Sequence, residues 1–343
     1  MFLSTLKNAV IKKYSLTQEF QEKIQKALES LGYSLAEPQK IAKCVLKLSD
    51  HYQQTRQTTP WNDPDCVAAQ LAYFLPLNFI RNQRVFDEAH SLQFPNSAEI
   101  FLDYGVGLGP THQALLQSPW WGHKKSYAAL DQSQKALDLF TKYFSPSPLQ
   151  KWSPSMAAKT CAAFSYSLNE LLEPPLWFWN LAEIMIIEPS TGDKGRKLMQ
   201  LRSQLIDRGY TIWAPCTHQE ACPLLTQSKK DWCHDRTHWE QPEWFQKIEK
   251  HLPIKNNTLT FSYLLASKTP PLLRDQGRIV GDPLIEKGKV RWLYCQGPER
   301  EFLSWLNKQG AAPDWQRGEL LPTRSFVKKG NELRFSGDGA TTN

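Results

Sequence analysis

The chain has 343 residues, 41% hydrophobic and 22% charged, with a net charge of +7. That is a globular balance with room for one large domain plus extensions, or for two domains. No uninterrupted apolar run is long enough to span a bilayer, and the positive charge favours a polyanionic partner such as RNA over an acidic one.

The opening stretch, MFLSTLKNAVIKKYSLTQEF, has too short an apolar core for a secretory signal and lacks the arginines of a mitochondrial presequence. The expected compartment is therefore reducing and cytoplasm-like, bacterial in type, with the mitochondrial matrix as the alternative. Seven cysteines cannot all pair as disulfides, and in a reducing compartment clustered cysteines point first to metal binding or catalysis.

Residues 1–92 are expected to form a helical region. The segments starting at Ser15 and Ser34, SLTQ and SLAE, have capping-box spacing. Ile41, Val45, Leu48 and Tyr52 recur at helical spacing and predict one buried face. Cys44 lies near that face and reads as a small core residue. One or two further helices are expected over 63–92, with an interruption at Pro76.

From about residue 98 the pattern changes to strands alternating with helices. EIFLDYG, SYAALD (126–131), TCAAFSY (160–166), EIMIIEP (183–189), YTIWAP (210–215) and TLTFSYLLASK (258–268) read as strands. Helices are expected through Phe140, from SLNELLE, and over 194–209. This order predicts an α/β fold with a parallel, doubly wound sheet over 93–270. Residues 216–257 interrupt it as an insertion. From 271 to 343 the chain reads as a small β extension with a loose end, FSGDGATTN. Tryptophans are numerous, thirteen, and core packing is their default role.

The turn after the first strand reads LDYGVGLG and places Asp103, Gly105, Gly107 and Gly109 at its end. Glycines let a backbone turn tightly and approach a ligand. The D-x-G-x-G-x-G pattern differs from the dinucleotide form. It resembles motif I of class I methyltransferases, which bind S-adenosylmethionine. By that resemblance Asp131, closing the second strand, would hold the ribose hydroxyls. The segment AAFSYSLNEL after the next strand lacks the Asn/Asp-Pro-Pro-aromatic tetrad of base-nitrogen methyltransferases. Ser165 and Tyr166 line that position without an evident base, so no catalytic residue is assigned.

Cys216, Cys222 and Cys233 stand as C-x5-C-x10-C within APCTHQEACPLLTQSKKDWCHD. Three thiolates do not fill a tetrahedral site. Cys44, Cys66 and Cys161 sit in helical or core segments, which leaves Cys295, in the β extension, as the fourth candidate. Four thiolates suit zinc or an iron–sulfur cluster. His218, His234 and His238 are alternative donors for zinc.

Several stretches together resemble the Rsm-type family of the small ribosomal subunit, with bacterial and mitochondrial members. They are EIMIIEPSTGDKG, APCTHQEACPL followed by DWCH, and GRIVGDPLIEKGKVRWLYC. The resemblance implies a class I methyltransferase fold with its helical region, cysteine-rich insertion and β extension. It also implies a partner, the small ribosomal subunit and its rRNA, and a [4Fe–4S] cluster on Cys216, Cys222, Cys233 and Cys295. Departures are Thr217, Ser190 and Leu108 where the family has proline, glycine and proline, and LPLNFI before motif I.

Three functions are then open. The first is a subunit assembly factor that binds rRNA as a monomer. The second is an active rRNA methyltransferase, and the third a zinc-dependent RNA-binding module.

Overall fold

The computed structural model describes residues 12–55, 58–121, 126–145, 148–272 and 275–336. Most of the end expected to be loose lies outside them. The chain divides into two compact units, each discontinuous in sequence. One comprises Lys12–Glu188 and Thr237–Thr260, the other Pro189–Arg236 and the chain from Phe261 onward.

A short strand, β1 (Lys13–Ser15), precedes helix α1 (Gln18–Glu29). Ser15 is in the strand, and the helix is capped instead by Thr17, whose hydroxyl accepts from the Phe20 amide at 3.3 Å. Phe20, Ile24, Ala27 and Leu28 form its buried stripe. Helix α2 (Pro38–Thr55) starts at proline, which suits a first-turn position whose N–H has no helical partner. Ile41, Val45 and Leu48 are buried along it.

Helix α3 (Pro64–Ala69) runs through one wide π turn, Gln70–Phe74, into α4 (Leu75–Ser91). Pro76 therefore does not interrupt the helical path. Proline lacks an N–H and crowds the carbonyl four residues back. The wide turn before it, closed by the Leu75 amide on the Gln70 carbonyl, supplies the room.

The sheet of this unit contains β2 (Ile100–Tyr104), β3 (Ser126–Leu130), β4 (Thr160–Ser165) and β5 (Glu183–Glu188). Helices α5 (Pro110–Leu116) and α6 (Gln134–Tyr143) follow β2 and β3. The strands are parallel in the order β3-β2-β4-β5. Burial explains the order: β5 is buried throughout and β4 nearly so, whereas β3 is largely half-exposed. The chain leaves β2 towards β3, then crosses back to β4 on its other side. The crevice between the carboxyl ends of β2 and β4 is thus a topological switch point, where open α/β sheets bind ligands. SLNELLE after β4 forms only a 3-10 turn, Leu168–Glu170, with Pro174 and Pro175 just beyond it.

Helix α7 (Gly192–Asp207) opens the second unit, followed by β6 (Thr211–Ala214) and α8 (Pro223–Thr226). Strand β7 (Asp235–Glu240) leads back into the first unit, where it pairs in parallel with β1 and precedes α9 (Glu243–Glu249). There Phe245 stacks on Tyr73, with ring centroids 5.2 Å apart. The insertion is thus structured rather than a plain loop. Strand β8 (Thr258–Ser267) returns to the second unit and pairs antiparallel with β6.

The β extension comprises β9 (Gln276–Ile279), β10 (Leu284–Glu286), β11 (Lys289–Cys295), β12 (Glu301–Leu306), β13 (Leu320–Pro322), β14 (Phe326–Lys329) and β15 (Glu332–Phe335). Their order is β13-β9-β11-β12-β15-β14, with β10 also on β11. Trp292, Trp305 and Trp315 meet Ile279, Leu303 and Leu333 in its core. Burying each such aromatic contributes roughly 1.5–3 kcal/mol, so here tryptophan serves packing.

Candidate cofactor and metal sites

The first site lies at the switch point. Gly105, Gly107 and Gly109 all have positive φ, at 73°, 50° and 77°. A Cβ on Gly105 would lie 2.5 Å from the Cβ of Ser167, and one on Gly109 would lie 2.3 Å from the Phe140 ring. Those two glycines are required by the packing of the protein itself. At Gly107 the nearest atoms to such a carbon belong to Trp61, at 3.6 Å. Only this glycine leaves room at the turn.

Asp131 closes the same corner. Its carboxylate accepts from the Gly107 amide at 2.9 Å and from the Ser133 amide at 2.8 Å. It is half-buried, and each oxygen keeps a further lone pair for a hydroxyl donor. Asp103 is instead fully buried on β2, taking the Tyr127 hydroxyl at 2.7 Å. It holds the turn from beneath.

Burial pushes the Asp103 carboxyl up to about 7; the charge of Asp131 adds to this, while the hydroxyls of Tyr127 and Thr111 oppose it. The folded value exceeds the unfolded one, so the native state binds the extra proton. Stability contributed at low pH is lost as pH rises from about 4 towards 7. Asp103→Asn should flatten that loss, so urea melts at pH 5 and pH 8 should differ less in the variant than in the parent.

Across the crevice, Tyr166 follows β4 with φ at +61°, an uncommon conformation for a bulky residue. The Arg81 guanidinium sits 5.3 Å from the centre of its ring. Asn82 donates to Ser165 at 2.9 Å. The sequence contained no motif for this corner, because Arg81 and Asn82 come from α4, far away in the chain.

The second site lies in the other unit. Cys216, Cys222, Cys233 and Cys295 line one cavity, together with apolar groups such as Leu198, Met199 and Val280. None of the seven cysteines is paired in a disulfide. Burial, followed by the charge of neighbouring cysteines, raises the thiols of Cys222, Cys233 and Cys295. Among the described residues, no three His, Cys, Asp or Glu side chains converge as ligands of a single ion. Cys44, Cys66 and Cys161 are buried elsewhere, in the first unit.

Buried cations surround these sulfurs. Arg202, only 2% exposed, donates from Nε to the Cys216 sulfur at 3.1 Å and from Nη2 to the His218 carbonyl at 2.9 Å. Burial acts against its charge, but Cys216, Cys222 and Cys295 outweigh this and hold it above its ordinary value. Arg278 is also buried, and donates to the carbonyls of Pro215 and Gly318. An uncompensated buried guanidinium costs several kcal/mol. Sulfurs that carry negative charge would offset that cost, so the donor set suits a thiolate-bound group.

The backbone around the cavity is tied from several sides. Arg196 on α7 donates to the carbonyls of Leu224, Leu225, Ser228 and Asp231. Asp231 pairs with Arg300 at 2.8 Å. The Thr217 hydroxyl donates to the Cys295 carbonyl at 3.3 Å, a bond that proline in its place would not make. His218 places Nε2 3.4 Å from the Cys295 sulfur. His234 instead stacks against Trp232, and His238 lies in the first unit beside Thr258.

Arg202 was legible in principle. Leu198, Arg202 and Leu205 share one helical face, and a charged residue on an otherwise apolar stripe marks a buried partner.

A parallel sheet whose first strand runs into a three-glycine turn at the switch point, with a carboxylate closing the neighbouring strand, defines a class I methyltransferase-like α/β fold. The family model described as "Mitochondrial small ribosomal subunit Rsm22" matches residues 65–311. The chain belongs to that family.

Solved structures with a similar arrangement include a candidate RNA methyltransferase of Pyrococcus horikoshii, 12% identical, with a TM-score of 0.31 over 65% of this chain and 98% of that one. TrmK of M. capricolum, in complex with S-adenosyl-homocysteine, is 13% identical, with a TM-score of 0.29 over 54% and 69%. The plantazolicin methyltransferase BpumL, also in complex with S-adenosyl-homocysteine, is 13% identical, with a TM-score of 0.25 over 72% and 98%. No curated protein matches the chain. No helix among the described residues is long and apolar enough to cross a membrane.

Proposed function

We propose that this protein is an assembly factor of the small ribosomal subunit that carries a [4Fe–4S] cluster and binds S-adenosylmethionine. The observation that carries the reading is the gathering of Cys216, Cys222, Cys233 and Cys295 around one cavity lined by a buried arginine. These four would be the ligands. A cluster spreads its cysteines over several irons, so sulfurs arranged around a cavity suit it better than they suit one zinc ion. When bound, it would join the insertion to the β extension through thiolate bonds.

Family membership and the net charge of +7 support an rRNA partner on the small subunit. The family's description supports a mitochondrial setting. Anaerobic purification followed by iron and sulfide analysis tests the cluster. Equal amounts of iron and sulfide support it, and zinc without iron overturns it.

The methyl donor would lie against the turn at Gly107, its ribose hydroxyls on Asp131 and Trp61 beside it. Each hydrogen bond to a charged group is worth about 1.5–3 kcal/mol. Asp131→Ala should therefore weaken S-adenosylmethionine binding roughly tenfold or more in a calorimetric titration, with the fold retained. Unchanged affinity would remove Asp131 from the site.

The left-handed Tyr166 at the crevice favours a second reading, methyl transfer to rRNA, because backbone strain clusters at functional sites. Radiolabel transfer to immature small subunits would support it. Repeated failure with cofactor demonstrably bound would count against it.

A further inference from the structure

The cysteine cavity contains two polar side chains that are not among the four thiols yet point at their sulfurs. Arg202 donates to Cys216, as described above, and His218 lies against Cys295. They are joined, because Arg202 also donates to the His218 carbonyl. The Nδ1 atom of His218 is buried without a hydrogen-bond partner, so the ring's single polar contact is the one to sulfur. A thiolate has no proton to give. When Cys295 is ligated, the proton of that contact must therefore sit on Nε2, which donates to sulfur.

We infer that Arg202 and His218 are positioning residues that set the reduction potential of the group held by the four cysteines, by directing a guanidinium N–H and an imidazole N–H at two of its sulfurs. The inference rests on the cluster reading above and goes beyond it. A purely structural staple needs four sulfurs; it does not need a buried cation bonded to one of them. Hydrogen bonds to ligating sulfur and nearby charge are the levers by which a protein tunes such a group. A cation near sulfur stabilises the state with the extra electron more than the state without it, because the former is more negative. Both donors therefore raise the potential. Arg202 should contribute more, since its guanidinium always carries a charge and its contact to sulfur is the shorter, 3.1 Å against 3.4 Å.

Arg196 supplies the control. It lies on the same helix and holds the same loop, but its hydrogen bonds go to backbone carbonyls.

The experiment is a redox titration of the anaerobically purified full chain, followed by paramagnetic resonance, with iron and sulfide measured on each sample. Arg202→Gln should keep its iron and shift to a lower potential, and Arg202→Lys should shift less. His218→Leu should produce a smaller downward shift. Arg196→Gln should leave the potential of its loaded fraction unchanged, whatever it does to stability.

Arg202→Gln with full iron and an unchanged potential overturns the inference. If that variant does not load, the Lys and His218→Leu variants decide in its place, and parental potentials in both overturn it. A parent protein without iron overturns the cluster reading instead, which is a different result from an unmoved potential.

Discussion

Replacing Cys295 with serine should strip the protein of iron and loosen the segment between Cys216 and Asp235. The other three sulfurs are all in the insertion, whereas Cys295 ends β11 of the β extension. In the proposed site, losing it would remove the one ligand that ties the extension to the group. Much of the order in this region would come from ligand bonds, because metal binding and folding are coupled in small sites. The buried Arg202 would also lose the negative charge that offsets its desolvation, a penalty of several kcal/mol. Iron analysis and limited proteolysis of the insertion are the measurements. Cys161→Ser, a buried change on β4, should leave iron unchanged. A Cys295→Ser protein with parental iron content and parental protease resistance would remove this residue from the ligand set.

The second large effect separates two glycines of the same turn. Gly105→Ala should destabilise the first unit by about 2–5 kcal/mol. Roughly 1–2 of that comes from the left-handed backbone and about 1–3 from overpacking, because the new carbon would lie 2.5 Å from Ser167. Gly107→Ala meets only Trp61, at ordinary contact distance, so it should cost roughly 1–2 kcal/mol. Its methyl group would point into the space proposed for the cofactor. Binding of S-adenosylmethionine should fall about tenfold, the equivalent of 1.4 kcal/mol. Thermal melts and calorimetric titration of both variants check the split. Equal destabilisation by the two changes would show that Gly107 is a packing glycine as well.

The contrast between these glycines shows where the sequence was legible. The run Asp103-x-Gly-x-Gly-x-Gly could be read after a strand, and the strand is there. The sequence did not distinguish a glycine that makes room for a neighbour from one that leaves room for a ligand. That depends on Ser167 and Phe140, which approach from other elements. Pro76 is a similar case. Its cost to a helix is local and predictable, but the π turn that accommodates it is a property of the whole path from α3 to α4.

By itself, the sequence determined the period of most elements, though not that of SLNELLE, and with it the α/β class. It also determined the cysteine spacing that singled out one late segment. These are properties of neighbouring residues, and hydrophobic periodicity and turn chemistry act over a few positions. Only the tertiary structure brought Cys295 to the other three sulfurs. It also placed Arg202 against Cys216 and the Tyr166 ring beside Arg81. Those placements follow from the packing of segments up to about eighty residues apart, where burial and charge compensation decide which groups meet.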